Sequence, residues 1–148
     1  MNRVPPVVTV ITGLLIGLTV FTFAYADGAS YLSNDAEACV NCHVMRPQFD
    51  AWMKGSHARA ASCNDCHAPH DNIAAKLAVK GLNGFNHSWA FTTGRYKERL
   101  SATPLNTRVT EAACRHCHEQ AVHQSLALSD DAMSCIRCHA GVGHNTRN

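Results

Sequence analysis

Apolar and polar positions divide the chain unevenly. Residues 7–26 carry no charge and read VVTVITGLLIGLTVFTFAYA. A helix rising about 1.5 Å per residue covers about 30 Å over this run, one hydrocarbon core. Thr9, Thr12, Thr19 and Thr22 can return their hydroxyls to preceding backbone carbonyls. The pattern predicts a single N-terminal transmembrane helix, with residues 1–27 as a membrane anchor. Ala24-Tyr25-Ala26 also resembles the cleavage site of a secretory signal, but the apolar run is longer than such signals carry. Gly13 and Gly17 form a G-x-x-x-G pair, a weak sign of helix association.

Beyond Ala26 the pattern becomes short-range. Residues 27–38 are a polar connector, with Tyr25 and Tyr31 placed to sit at headgroup level. Residues 48–57 read as a short helix with Phe49, Trp52 and Met53 on one side. A second helix is expected over residues 72–83, capped by Asp71, carrying Ile73, Leu77 and Leu82 with Lys76 and Lys80. Gly81 and Gly84 interrupt that pattern. Phe85, His87, Trp89 and Phe91 follow, as a second contact with the membrane surface or as packing around a prosthetic group. Residues 95–107 form a charged link, and residues 110–124 read as helix.

The 148 residues contain eight cysteines, all in four Cys-x-x-Cys-His units: Cys39/Cys42, Cys63/Cys66, Cys114/Cys117 and Cys135/Cys138. A disulfide scaffold or paired zinc sites leave the histidine after each second cysteine unexplained. The unit is the attachment signal of c-type haem, with two thioethers to the porphyrin and the histidine as axial ligand. Four covalent haems on residues 28–148 amount to roughly one per 30 residues, so the porphyrins must serve as the core. The fold class is a multihaem c-type cytochrome: one transmembrane helix, a small mostly α-helical tetrahaem domain, and little secondary structure elsewhere. The units fall into two pairs, over residues 39–67 and 114–139. Such attachment is completed outside the cytoplasm, which places the domain in the periplasm and the anchor in the inner membrane. A formal net charge of +2 gives no footprint for nucleic acid.

Ten histidines are available to the irons. His43, His67, His118 and His139 belong to the units. Of the others, His57 and His144 lie too close in sequence to their neighbouring units to reach those irons, so each is expected to ligate another haem. His70, His87 and His123 are weaker ligand candidates, and His116 is expected to face solvent or a propionate. The first unit continues as Cys39-Val40-Asn41-Cys42-His43-Val44-Met45. Met45 either displaces His43 from the iron or packs beside the porphyrin.

The anchor, the four units, the Cys-x-x-Cys-His-x-Met extension, Ser56-His57, Cys63 to His70, Lys80…Gly84…Gly94 and His139 with His144 together resemble the NapC/NirT/NrfH family. These are membrane-anchored tetrahaem quinol dehydrogenases, and the likeness is strongest to the small subunits of cytochrome c nitrite reductases. The resemblance covers essentially the whole chain. It implies that Met45 ligates the first haem in place of His43, that His57 and His144 are distal ligands, and that Lys80 lines a menaquinol pocket. It also implies a bilayer-anchored donor to a catalytic pentahaem nitrite reductase subunit that makes ammonium from nitrite. The alternatives are a general donor to nitrate reductase or another cytochrome, or a relay without its own quinol site. His87 stands where the family has an aspartate, so it either ligates the first iron or takes quinol protons near its reference pKa. The family draws one iron ligand, a lysine, from its catalytic subunit; His123 could fill that place internally, which would favour the general donor.

Overall fold

A computed structural model of the chain describes residues 4–97, 100–121 and 134–144. His123 and the loop at residues 129–131 lie outside the described residues. The first helix, α1, runs Pro6–Tyr25 with proline in its first turn and a mean hydropathy of 2.3 over its most apolar stretch. Proline suits that position because its missing N–H would have no partner there. No residue of α1 is buried. Thr19 returns its hydroxyl to the Leu15 carbonyl at 2.8 Å. A helix with this length and composition, exposed on every side, has the form of a membrane span.

The chain leaves α1 through a tight joint. Asp27 takes a left-handed conformation at φ 48°, which aspartate tolerates better than most residues. Gly28 lies directly under the Phe23 ring, leaving no room for a side chain. A 3-10 turn at Gly28–Leu32 then touches both α1 and a later long helix. Asn41 also ties back to this joint by donating to the Ala26 carbonyl at 3.1 Å.

Five short helical pieces follow before that long helix. Helix α2 is Ala36–Cys39, a 3-10 turn covers His43–Met45, α3 is Arg46–Met53, a further 3-10 turn covers Ser56–Arg59, and α4 is Cys63–His67. The helix expected over residues 48–57 therefore starts earlier, at Arg46, and breaks before Gly55. Pro47 in its first turn favours the early start. Phe49 and Trp52 do share a face, with ring centroids 5.6 Å apart. Trp52 Nε1 donates to the Ala61 carbonyl at 3.0 Å.

Helix α5 spans Ile73–Thr93 without a break. The sequence pattern stopped it near residue 83 and capped it with Asp71; the structure corrects both. Asn72 is the cap, accepting from the Ala75 N–H at 2.7 Å. Gly81 and Gly84 each cost a helix roughly 1 kcal/mol against alanine, yet tertiary contacts hold the helix through them. Asn83 and Asn106 exchange two amide hydrogen bonds, and the Tyr31 ring rests on Gly84. The helix ends where Gly94 adopts φ 66° and Arg95 N–H returns to Ala90 O at 3.0 Å.

Helix α6 runs Pro104–Cys117, capped by Thr103, and α7 is Cys135–Cys138. The start expected at residue 110 moves back to 104 because the pair Thr103-Pro104 supplies both cap and first-turn proline. The buried apolar residues are small ones: Ala36, Ala68, Val109 and Ala113. Among the described residues no large side chain is fully buried. Among the described residues, burial is confined to these few small side chains.

Candidate haem and quinol sites

Each Cys-x-x-Cys-His unit sits on or beside a helical turn, which puts its two thiols and its histidine on one short stretch. All eight cysteines are unpaired thiols. The elements carrying the units touch in chain order: α2 meets α4, α4 meets α6, and α6 meets α7. The Cys39 and Cys63 side chains are within hydrogen-bond reach of each other, which brings the first two units together. The four units therefore contact one another in the order of the chain, from 39–43 to 135–139.

The histidines separate by spacing. The rings of His57 and His118 have centroids 6.0 Å apart, and those of His67 and His144 are 6.1 Å apart. Two metal–imidazole bonds of about 2.0–2.1 Å, with about 1.1 Å from nitrogen to ring centre on each side, give roughly 6 Å. These two pairs have the spacing of trans axial ligands on one iron. His70 and His116 stack at 4.6 Å, too close for an iron between them. His70 Nε2 instead lies 2.7 Å from the Asp65 carbonyl. Burial, and then His144, lowers the His67 pKa, although the residue keeps an exposed surface. The eight thiols and the two histidine pairs fit covalent haem c.

In the first unit, His43 and Met45 share a 3-10 turn but point differently: His43 is exposed and Met45 half-buried. Sequence reasoning left the two as competitors, and the inward residue is the methionine.

The continuous α5 puts Lys76, Lys80, Gly84 and His87 on one face, at helical intervals of four, four and three. That face meets the 28–32 turn. The Tyr31 hydroxyl lies 2.8 Å from His87 Nδ1. Lys80 Nζ donates to the Ser33 carbonyl at 2.7 Å, and Asn64 Nδ2 donates to the same carbonyl at 3.0 Å. Burial lowers the His87 pKa, although the residue keeps an exposed surface. Burial, then Lys76, lowers that of Lys80, against an opposing pull from Cys39. Tyr31 is pushed up by burial and by the Cys42 and Cys39 thiols. Lys80 and Tyr31 thus stand beside the first attachment unit, with His87 held against Tyr31; the sequence marked Tyr31 only for the headgroup level and did not single out Ser33. The spacing of Lys80, Gly84 and His87 was the available signal for a shared face, hidden by treating the glycines as a break.

On another face of α5, Leu82, Phe85 and Trp89 are exposed, with Phe85 and Trp89 stacked at 6.3 Å.

The family described as "NapC/NirT cytochrome c family, N-terminal region" matches residues 2–148 of the chain. The cytochrome c-type protein NrfH of Wolinella succinogenes is 35% identical over 146 residues, covering 91% of this chain and 82% of the relative. The cytochrome c nitrite reductase subunit NrfH of Nitratidesulfovibrio vulgaris is 31% identical over 135 residues, with the same coverage of 91% and 82%. The cytochrome c-type protein NapC of Haemophilus influenzae is 26% identical over 139 residues, covering 76% of this chain and 68% of the relative. A chain in the crystal structure of the cytochrome c nitrite reductase NrfHA complex bound to the HQNO inhibitor superposes with a TM-score of 0.67. It is 27% identical, with 95% of this chain and 93% of that chain covered.

Proposed function

The chain belongs to the NapC/NirT cytochrome c family, and from that premise we propose that it oxidises menaquinol at the membrane and delivers the electrons to a catalytic cytochrome c nitrite reductase subunit. Covalently bound haem c supplies the one-electron carriage between the two. The observation that carries the reading is the meeting of α5 with the 28–32 turn. What supports the reading is that this contact joins Tyr31 to His87, with Lys80 and Tyr31 near Cys39.

Residues 1–27 anchor the protein, and residues 28–148 form the domain on the periplasmic side. The eight thiols hold the prosthetic groups. His67 with His144, and His118 with His57, would hold the irons of the second and third haems. Met45 would hold the first iron and His139 the fourth. Lys80 presents a cation to a quinol oxygen. His87, neutral at pH 7 because burial lowers its pKa, takes a quinol proton as general base. Tyr31 orients the ring from Nδ1.

Purified four-haem protein in detergent should be reduced by a menaquinol analogue, with absorbance reporting all the haems. No reduction of any haem would overturn the quinol reading. Co-purification with a catalytic nitrite reductase subunit tests the partner; isolation only with a nitrate reductase would shift the client to that of the NapC relatives.

A further inference from the structure

One carboxylate joins the third attachment unit to the fourth. Glu111 lies in α6 one turn before Cys114, on the same face. Its Oε2 accepts from the Cys135 N–H at 2.9 Å, and its Oε1 from the Ile136 N–H at 3.2 Å and from the Ser134 hydroxyl. These are the opening donors of α7, which a helix leaves without internal partners.

The other junctions are made differently. Units two and three are packed through α4 and α6, with Ala68, Val109 and Ala113 buried. Helix α7 is only four residues long and buries none of them. A helix so short does not sustain itself. Among the described residues, the α6–α7 junction rests on Glu111 rather than on apolar packing. Burial disfavours the Glu111 charge, but the bonds from Ser134, Cys135 and Ile136 outweigh it and hold its pKa below the ordinary range. The group is a fixed anion beside both Cys114 and Cys135.

We infer that Glu111 is the positioning residue that fixes the fourth haem unit on the third and holds down the potential at that end of the chain. The inference rests on the electron-carrying function proposed above. An electron passed between the third and fourth units would meet the Glu111 charge, and Glu111 itself would move no proton. An adjacent anion opposes arrival of an electron, so its charge lowers the potential, while its hydrogen bonds set the spacing.

The test uses the full four-haem protein and Glu111→Gln, which keeps shape and removes charge. Hydrogen–deuterium exchange at Cys135 and Ile136 should quicken at least about 10-fold, because a lost charge-assisted bond is of that size. A dithionite titration should show one or two haems shifted to higher potential. Unchanged exchange and unchanged potentials would overturn the inference. Should Glu111→Gln not mature with four haems, Ser134→Ala keeps the anion: faster exchange at Cys135 without a shift in potential is expected, and unchanged exchange overturns the clamp. Neither readout uses quinol, so a wild-type protein that quinol cannot reduce would count against the proposed function and leave this inference to its own result.

Discussion

The Tyr31 hydroxyl meets His87 Nδ1 at 2.8 Å, joining the turn that follows the membrane helix to the long helix α5. A tyrosine on Nδ1 fixes the imidazole plane and leaves Nε2 as its reactive nitrogen. Burial lowers the pKa of His87 below 6.5, so the ring is a free base at neutral pH. The rate of quinol oxidation should therefore be level near pH 7 and fall as the pH drops below 6.5 through the folded pKa. His87→Asn should slow oxidation about 100-fold and abolish that acid limb. Stopped-flow reduction by a menaquinol analogue from about pH 5 to 8 checks both. The spin state of the first haem, read in the same variant, separates a proton acceptor, which leaves it unchanged, from an iron ligand. The lowered pKa also makes the fold lose stability as the pH falls through that window, because the unfolded chain binds the proton first.

Gly84 supplies the space for that contact. A Cβ there would meet Tyr31 Cε1 at 3.3 Å and Cδ1 at 3.4 Å, so Gly84→Ala should push the ring by a few tenths of an ångström. Alanine also favours the helix by about 1 kcal/mol. The expected outcome is a split: an unchanged or higher melting temperature, with quinol oxidation slowed roughly 3- to 10-fold by misplacement. Thermal unfolding and initial rates on one preparation decide it.

How much of this was legible beforehand depended on range. The anchor and the four haem units are local signals, readable from residues 7–26 and from each Cys-x-x-Cys-His. The identity of His57 and His144 as candidate ligands was also readable, because each is too near its adjacent unit to serve it. Their partners were not: His57 faces His118 and His144 faces His67 across the fold. Glu111 gave no signal, since its three donors begin at Ser134 and only folding brings them together. Propensity at Gly81 and Gly84 argues for an end to α5 near residue 83, while Asn106 and Tyr31 supply the contacts that carry the helix past them.

The two histidine pairs near 6 Å make a spectroscopic prediction. His57→Ala and His144→Ala should each turn one haem from low spin to high spin while all four remain covalently attached. His70→Ala should leave every haem low spin, because His70 stacks on His116 at 4.6 Å and rests on the Asp65 carbonyl. Met45→Ala should alter the first haem and His43→Ala should not, following their inward and outward placement. Low-temperature electron paramagnetic resonance distinguishes all five variants.

Lys80 offers the cleanest separation of binding from folding. Its Nζ donates to the Ser33 carbonyl at 2.7 Å, but Asn64 Nδ2 donates to that same oxygen at 3.0 Å. Lys80→Met therefore removes a cation from the face shared with His87 without leaving the carbonyl unpartnered. The usual penalty for a stranded acceptor is avoided, and haem content and melting temperature should stay near wild type. What goes is a charge-assisted donor to a quinone oxygen, worth about 1.5–3 kcal/mol. Affinity for an unreactive menaquinone analogue, followed by fluorescence quenching on the oxidised protein without turnover, should weaken by about 10- to 100-fold. Lys76→Met, one turn earlier on the same face, should change it little. Equal weakening in both variants would mean that general positive charge, rather than a bond from Lys80, holds the ligand.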